Sequence, residues 1–188
     1  MAKHVCPAWV GHLLASPLRK LLNNPESILG KHVIKDMIVL DIGCAMGFFS
    51  LPLAEMVGAQ GKVICIDLQE KMLETLKKRA YKAGLLDRIE TYLCSQDSLG
   101  LKGFSDKIDF VLAFAVVHEA QNAGKFFSEI YEAIKSNGSL LVEEPKLHVS
   151  KNDFEITVSL AEQKGFKVIN RSCTFFDRTV LLQKQNIH

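Results

Sequence analysis

From Met37 onward short β-branched runs alternate with longer amphipathic stretches, and this alternation restricts the chain more than any other feature. It is the pattern of successive βα units, so it predicts a largely parallel sheet with helices on its faces. The runs Met37–Leu40, Lys62–Asp67, Ile89–Cys94, Ile108–Phe114 and Ser139–Glu144 are the expected strands. Between them, Gln69–Ala83 sets Met72, Leu73, Leu76 and Ala80 on one helical face, with Lys77, Lys78 and Arg79 mostly turned to water and Gly84 as the stop. Asn122–Lys135 likewise stacks Phe126, Phe127, Ile130 and Ile134 at helical spacing before Asn137-Gly138, and these aromatics are expected in the core.

The end of the chain breaks the alternation. Phe166–Phe175 and Thr179–Gln183 are two strand-like runs joined by Asp177-Arg178, which reads as an antiparallel hairpin rather than a crossover. Residues 1–36 differ again, with Trp9, Leu13, Leu14, Leu18, Leu21 and Leu22 on short helical pieces broken by Pro7, Pro17 and Pro25. That segment is expected to form an N-terminal helical cap, either walling a substrate pocket or packing over a sheet edge.

At 188 residues the chain has room for one domain. Its net charge of +2 gives no strong field for steering onto nucleic acid, which argues against that class of substrate. No apolar run approaches the roughly 20 residues of a membrane span, and no leader pattern opens the chain, so the expectation is a soluble protein of the cytoplasm. The five cysteines, Cys6, Cys44, Cys65, Cys94 and Cys173, are scattered and odd in number, as reduced thiols are. His4, Cys6 and His12 match no common zinc spacing, and no metal is expected.

The chemistry concentrates in Val39-Leu40-Asp41-Ile42-Gly43-Cys44-Ala45-Met46-Gly47-Phe48-Phe49, an apolar strand running into an acid and a glycine-bearing turn before a helix. In a doubly wound sheet that turn lies at the carboxyl edge, where ligands bind. Gly43 and Gly47 let the main chain turn tightly and approach a ligand. A dinucleotide fingerprint would place glycine at 45 and a small residue at 48, whereas this chain has Ala45 and Phe48. Asp41 also suits a ligand carrying positive charge better than a pyrophosphate.

On these residues the segment resembles motif I of the class I S-adenosylmethionine-dependent methyltransferases, closest to the small-molecule branch that includes quinone-biosynthesis C-methyltransferases and arsenite methyltransferases. The resemblance runs from about Met37 to Leu182. It implies a Rossmann-like α/β sheet of seven strands, five parallel and two in a C-terminal antiparallel hairpin, in the order 3-2-1-4-5-7-6. It implies S-adenosylmethionine as cofactor and residues 37–188 as one compact methyltransferase domain. By position, Asp41, Gly43, Cys44 and Gly47 form its cofactor loop, and Asp67 accepts from the ribose hydroxyls. Leu68 packs on the adenine, Gln96 and Asp97 stand where the adenine amino group is bound, and Phe114 begins the segment beside the methionine end. His118 stands where this branch commonly carries a histidine, with a role as general base, as substrate orienter, or as a structural group bonded to main chain or to Glu119.

The segment after the fourth expected strand lacks the Asp/Asn-Pro-Pro-Tyr/Phe tetrapeptide of many base and glutamine-amide methyltransferases. Cys6 and Cys173 form no recognisable pair, which argues against arsenite. The expected acceptor is a small, partly apolar molecule, methylated by in-line transfer. Two other readings stay open: a methyltransferase-like module that binds the cofactor without turnover, motivated by Ala45, and a nicotinamide-dependent oxidoreductase on a similar sheet. Oligomeric state is not legible in the chain.

Overall fold

The computed structural model describes residues 24–185. In chain order they form α1 (Pro25–Leu29), β1 (Ile38–Ile42), α2 (Ser50–Val57), β2 (Lys62–Asp67), α3 (Glu70–Lys82), β3 (Ile89–Leu93), β4 (Ile108–Phe114), α4 (Ala123–Ala133), β5 (Ile134–Pro145), α5 (Lys151–Gln163), β6 (Phe166–Cys173) and β7 (Asp177–Lys184). Short 3-10 turns stand at Leu86–Arg88, Leu101–Phe104 and Val117–Glu119. The seven strands follow the order β3-β2-β1-β4-β5-β7-β6, with the C-terminal pair antiparallel, as the sequence led one to expect. The chain divides into two compact units, the first ending at Cys94 and the second beginning at Ser95.

In the first unit β1 pairs in parallel with β2, and β2 with β3, from Ile38 opposite Lys62 to Asp67 opposite Leu93. Val39, Leu40, Val63, Ile64, Cys65 and Ile66 are all buried, the near-continuous apolar run that a parallel strand covered on both faces requires. α2 packs on β1 and β2, and α3 on β2 and β3. α3 buries Met72, Leu73, Leu76 and Ala80, the face read from its spacing. Met72, Leu73 and Leu76 each contribute about 1.5–3 kcal/mol when fully removed from water, and the smaller Ala80 less. The helix stops where Gly84 takes φ 69, with Gly84 N–H on the Tyr81 carbonyl and Leu85 N–H on that of Ala80. Those are the paired closing bonds of a Schellman ending. Of the expected helical cap, 1–23 lie outside the described residues. The described remainder holds α1, opened by Pro25 and capped by the Asn24 side chain, which accepts from Glu26 N–H at 3.0 Å.

In the second unit β4 and β5 are parallel, β7 pairs antiparallel with β5, and β6 with β7. α4 buries Phe126, Phe127, Ile130 and Ala133, which confirms its aromatics as core. The helix read as reaching Lys135 ends at Ala133, because Ile134 already pairs with Ile108 as the first residue of β5. The next matched pair is Phe110 with Ser139, so Lys135–Gly138 bulge out of the ladder, with Asn137 at φ 63. The hairpin link also moves. Asp177 and Arg178, read as the turn, begin β7 opposite Pro145 and Glu144, and the turn is Thr174-Phe175-Phe176. The Thr174 hydroxyl accepts from the N–H groups of Phe176 at 3.2 Å and Asp177 at 3.0 Å, so a threonine rather than the polar pair makes the turn.

Among the described residues no helix is long and apolar enough to cross a membrane, and no cluster of His, Cys, Asp and Glu could hold a metal ion.

Candidate active site

In the first unit the chemistry gathers at the carboxyl ends of β1 and β2. Asp41 lies inside β1, opposite Cys65, rather than beyond the strand's end. Its carboxylate is buried and accepts the Ser50 hydroxyl from the start of α2 at 2.6 Å. The turn that follows is bound to β2 through its main chain, since Gly43 N–H and Cys44 N–H both donate to the Ile66 carbonyl, at 2.8 and 3.1 Å. Gly43 has φ 71 and Gly47 φ 83, the left-handed region where glycine is at ease. Ala45 stands between them at φ 47, in a conformation that strains an L side chain. The Arg79 guanidinium donates to the Met46 carbonyl and holds the far side of the turn.

Asp67 closes β2 and ties this turn in place. Its Oδ2 accepts from Ala45 N–H at 2.9 Å, and its Oδ1 from Gln69 N–H at 2.8 Å. The N-cap of α3 is Gln69, so Asp67 serves the helix start from two residues upstream. Burial pushes the Asp67 carboxyl above its ordinary value, while bonds from the main chain of Gln69, Ala45 and Leu68 pull it back. Leu68, beside it, is half-buried. Cys44 is buried, and a bond with the Cys65 thiol followed by burial raises its own thiol well above the usual value. The side chains of Asp41 and Cys44 thus face the protein, and the turn offers a ligand its backbone and the Asp67 carboxylate.

The remaining expected residues belong to the second unit. Gln96 and Asp97 are exposed on the turn between Ser95 and Ser98, and Gln96 Oε1 accepts from Gln121 Nε2 at 2.6 Å. Glu129 of α4 pins this turn, with its Oε2 accepting from the Ser98 hydroxyl at 3.0 Å, Leu99 N–H at 2.8 Å and Gly100 N–H at 3.2 Å. Phe114 ends β4 half-buried, and Ala115 after it takes φ 54 while its N–H reaches the Glu143 carbonyl at 2.7 Å. His118 lies in the 3-10 turn Val117–Glu119. Its Nδ1 is 2.5 Å from Oε2 of Glu144, a residue of β5 that is 1% exposed. The His148 ring lies parallel to the His118 ring, with centroids 5.8 Å apart.

Glu144 and His148 escaped the sequence reading, which offered Glu119 as the acidic neighbour of His118. One signal for Glu144 was present: Leu140-Leu141-Val142 runs straight into Glu143-Glu144-Pro145, and a strand that deep ends in acids only when something pairs them.

A methyltransferase-domain family model matches residues 34–186. The chain belongs to this family. Its class I S-adenosylmethionine-dependent branch is the one the sequence resembles, and S-adenosylmethionine is the cofactor of such domains. A ubiquinone/menaquinone biosynthesis C-methyltransferase of Marinomonas sp. is 23% identical over 131 residues, which are 70% of this chain and 50% of that protein. A demethylmenaquinone methyltransferase of Lactobacillus johnsonii is 29% identical over 54% of this chain and 41% of its own length. The chain thus spans half or less of the length of these curated relatives. A crystal structure of an S-adenosylmethionine-dependent methyltransferase from Aquifex aeolicus has the same fold, with a TM-score of 0.84 at 24% identity, over 95% of this chain and 99% of that one. The oxidoreductase reading falls with these matches. As a methyltransferase domain, the chain departs from the usual cofactor loop at Ala45, which adopts the left-handed turn with its methyl group in place.

Proposed function

We propose that the protein transfers the methyl group of S-adenosylmethionine to a small, partly apolar acceptor, with residues 37–188 acting as the methyltransferase domain. The observation that carries the reading is the bond from Ala45 N–H to Asp67 Oδ2, because it couples a glycine-bearing turn after β1 to an acid closing β2. An adenosine ligand needs that combination, a carboxylate for ribose hydroxyls beside main chain that admits close approach. A carboxylate has room for about four hydrogen bonds, so Asp67 retains acceptor capacity beyond its backbone donors.

In this reading Asp41, Gly43, Cys44 and Gly47 shape the cofactor turn, Asp67 takes the ribose and Leu68 the adenine face. Gln96, Asp97 and Phe114 are the residues of the second unit that the resemblance assigns to the cofactor. The chemistry that S-adenosylmethionine supplies when bound is an electrophilic methyl group on a sulfonium, displaced in line by the acceptor. The chain's own work is alignment and proton handling, and His118 is the residue for the second. The names of the relatives, which place them in quinone biosynthesis, support a small-molecule acceptor.

Calorimetric titration with S-adenosylmethionine, S-adenosylhomocysteine and NAD tests the reading. Dissociation constants of about micromolar for the first two, with NAD weaker, are expected. NAD held tighter would overturn it. The strained Ala45 favours a second reading, a domain that keeps the cofactor without turnover. Methylated product from any acceptor removes that alternative.

A further inference from the structure

We propose that Arg79 is a positioning residue for the cofactor turn, holding the Met46–Gly47 peptide in the orientation in which the turn after β1 receives S-adenosylmethionine. The proposal rests on the methyltransferase reading above and deepens it, because it makes α3 an element on which cofactor affinity depends.

Of Lys77, Lys78 and Arg79, all read from the sequence as mostly turned to water, the first two are exposed and the third turns back to the protein. The Arg79 guanidinium donates to the Met46 carbonyl, 33 positions earlier in the chain. That contact takes the charge partly out of water, and burial pulls its pKa below the ordinary guanidinium value. Removing a charge from water is costly unless a partner offsets it, and here the partner is a single main-chain oxygen of the turn. Leu76 lies one helical turn before Arg79 on the same face and presses on the next residue of the turn. A Cβ at Gly47 would stand 2.3 Å from Leu76 Cδ1. The start of α3 is bound to the site as well, since Gln69 N–H donates to Asp67 Oδ1 at 2.8 Å.

Within the turn, the Met46–Gly47 peptide is the link that β2 does not hold. Gly43, Cys44 and Ala45 are fixed by their own N–H groups, the first two on the Ile66 carbonyl and the third on Asp67. Gly47 has φ 83, and a glycine accepts either sign of φ, so the residue itself does not stop this peptide from flipping. A flip would swing the Met46 carbonyl to the opposite side and break the bond from Gly47 N–H to the Cys44 carbonyl, which is 3.0 Å long. The Arg79 bond exists in only one of the two orientations, so it opposes the flip, and a charged donor makes it a strong one. The cofactor rests on the main chain of this turn in the methyltransferase reading, and a flipped peptide presents it a different surface.

The test uses the full chain with Arg79→Met, which keeps an apolar stem and removes every donor, with Arg79→Lys, and with a matched control, Arg88→Met. Arg88 Nη1 makes the same kind of bond to the Ala54 carbonyl in the last turn of α2, at 3.0 Å, and that carbonyl lies outside the cofactor turn. Affinity for S-adenosylhomocysteine is measured by calorimetry, amide exchange at Gly47 by NMR, and stability by urea midpoint. Arg79→Met is expected to weaken S-adenosylhomocysteine about tenfold or more and to speed Gly47 exchange by a similar factor, as the loss of one charge-assisted bond. Arg79→Lys is expected to recover most of both, and Arg88→Met to lower the urea midpoint while leaving both as in the native chain. Arg79→Gln, whose amide ends short of the carbonyl, replaces the Met variant should that one fail to fold, with the same expectations. Unchanged affinity in the folded Met or Gln variant, unchanged Gly47 exchange, or an equal loss of affinity in Arg88→Met would each overturn the proposal. A native chain that does not bind S-adenosylhomocysteine strikes the methyltransferase reading instead, and Gly47 exchange still decides whether Arg79 holds the peptide.

Discussion

Ala45 carries a local conflict between residue type and backbone, one that Ala115 shares among the described residues. At φ 47 its methyl group meets the steric cost that left-handed conformations impose on L residues, about 1–2 kcal/mol. Glycine there relieves the strain and gives back part of the gain as extra freedom in the unfolded chain. Ala45→Gly is therefore expected to stabilise the protein by about 0.5–1 kcal/mol, measurable as a higher urea midpoint at unchanged slope. A lower midpoint would mean that the methyl group contributes packing that outweighs the strain. Asp67 allows a prediction with pH. Burial raises its folded value above the unfolded one, so the carboxyl favours folding while protonated, and that contribution is lost as pH rises through the folded value. The stability of Asp67→Asn relative to the native chain should accordingly increase between about pH 4 and pH 6. Urea unfolding at the two pH values checks it, and a flat or falling difference contradicts it. At this scale the sequence located Asp67 and His118 but not their partners. The Ala45 amide and Glu144 lie 22 and 26 positions away in the chain, and only the folded strands bring them close.

Elements were legible where the physics is local and blurred where pairing decides. β2 and β4 coincide with the apolar runs read from the chain, because both are largely buried strands of a parallel sheet. α3 matches its amphipathic stretch to within a residue at each end. The ends of α4, β5 and β7 moved, and each moved because a residue of helical or turn-like character found a ladder partner: Ile134 with Ile108, Asp177 with Pro145. Gly61, in the short connection from α2 to β2, is a sharper test of element packing. A Cβ there would lie 2.6 Å from the Val57 carbonyl oxygen and 2.8 Å from that of Met37, both main-chain atoms that cannot swing aside. Gly61→Ala is expected to cost about 1–3 kcal/mol, read from chemical denaturation. A neutral result would show that the α2–β2 connection can shift to admit the methyl group.

For the whole molecule, the run of βα units and the terminal hairpin were legible in the chain, whereas the strand order came with the family resemblance of the turn after β1. The division at Cys94 and Ser95 was not legible, since no proline, glycine or charge run marks it in the chain. The turn that opens the second unit is exposed, yet Glu129 gathers three of its donors onto one oxygen. Its amides are therefore tied to α4 of the same unit. Deuterium uptake at Gly100, a surface residue, should be slow in the native chain and should accelerate about tenfold or more in Glu129→Ala, the loss of a bond worth about 1.5–3 kcal/mol. Equal uptake in the two would sever that link. The surface amide of Gly100 then serves as a clock for the opening of α4, reporting motion in the interior of the second unit from a position any solvent molecule can reach.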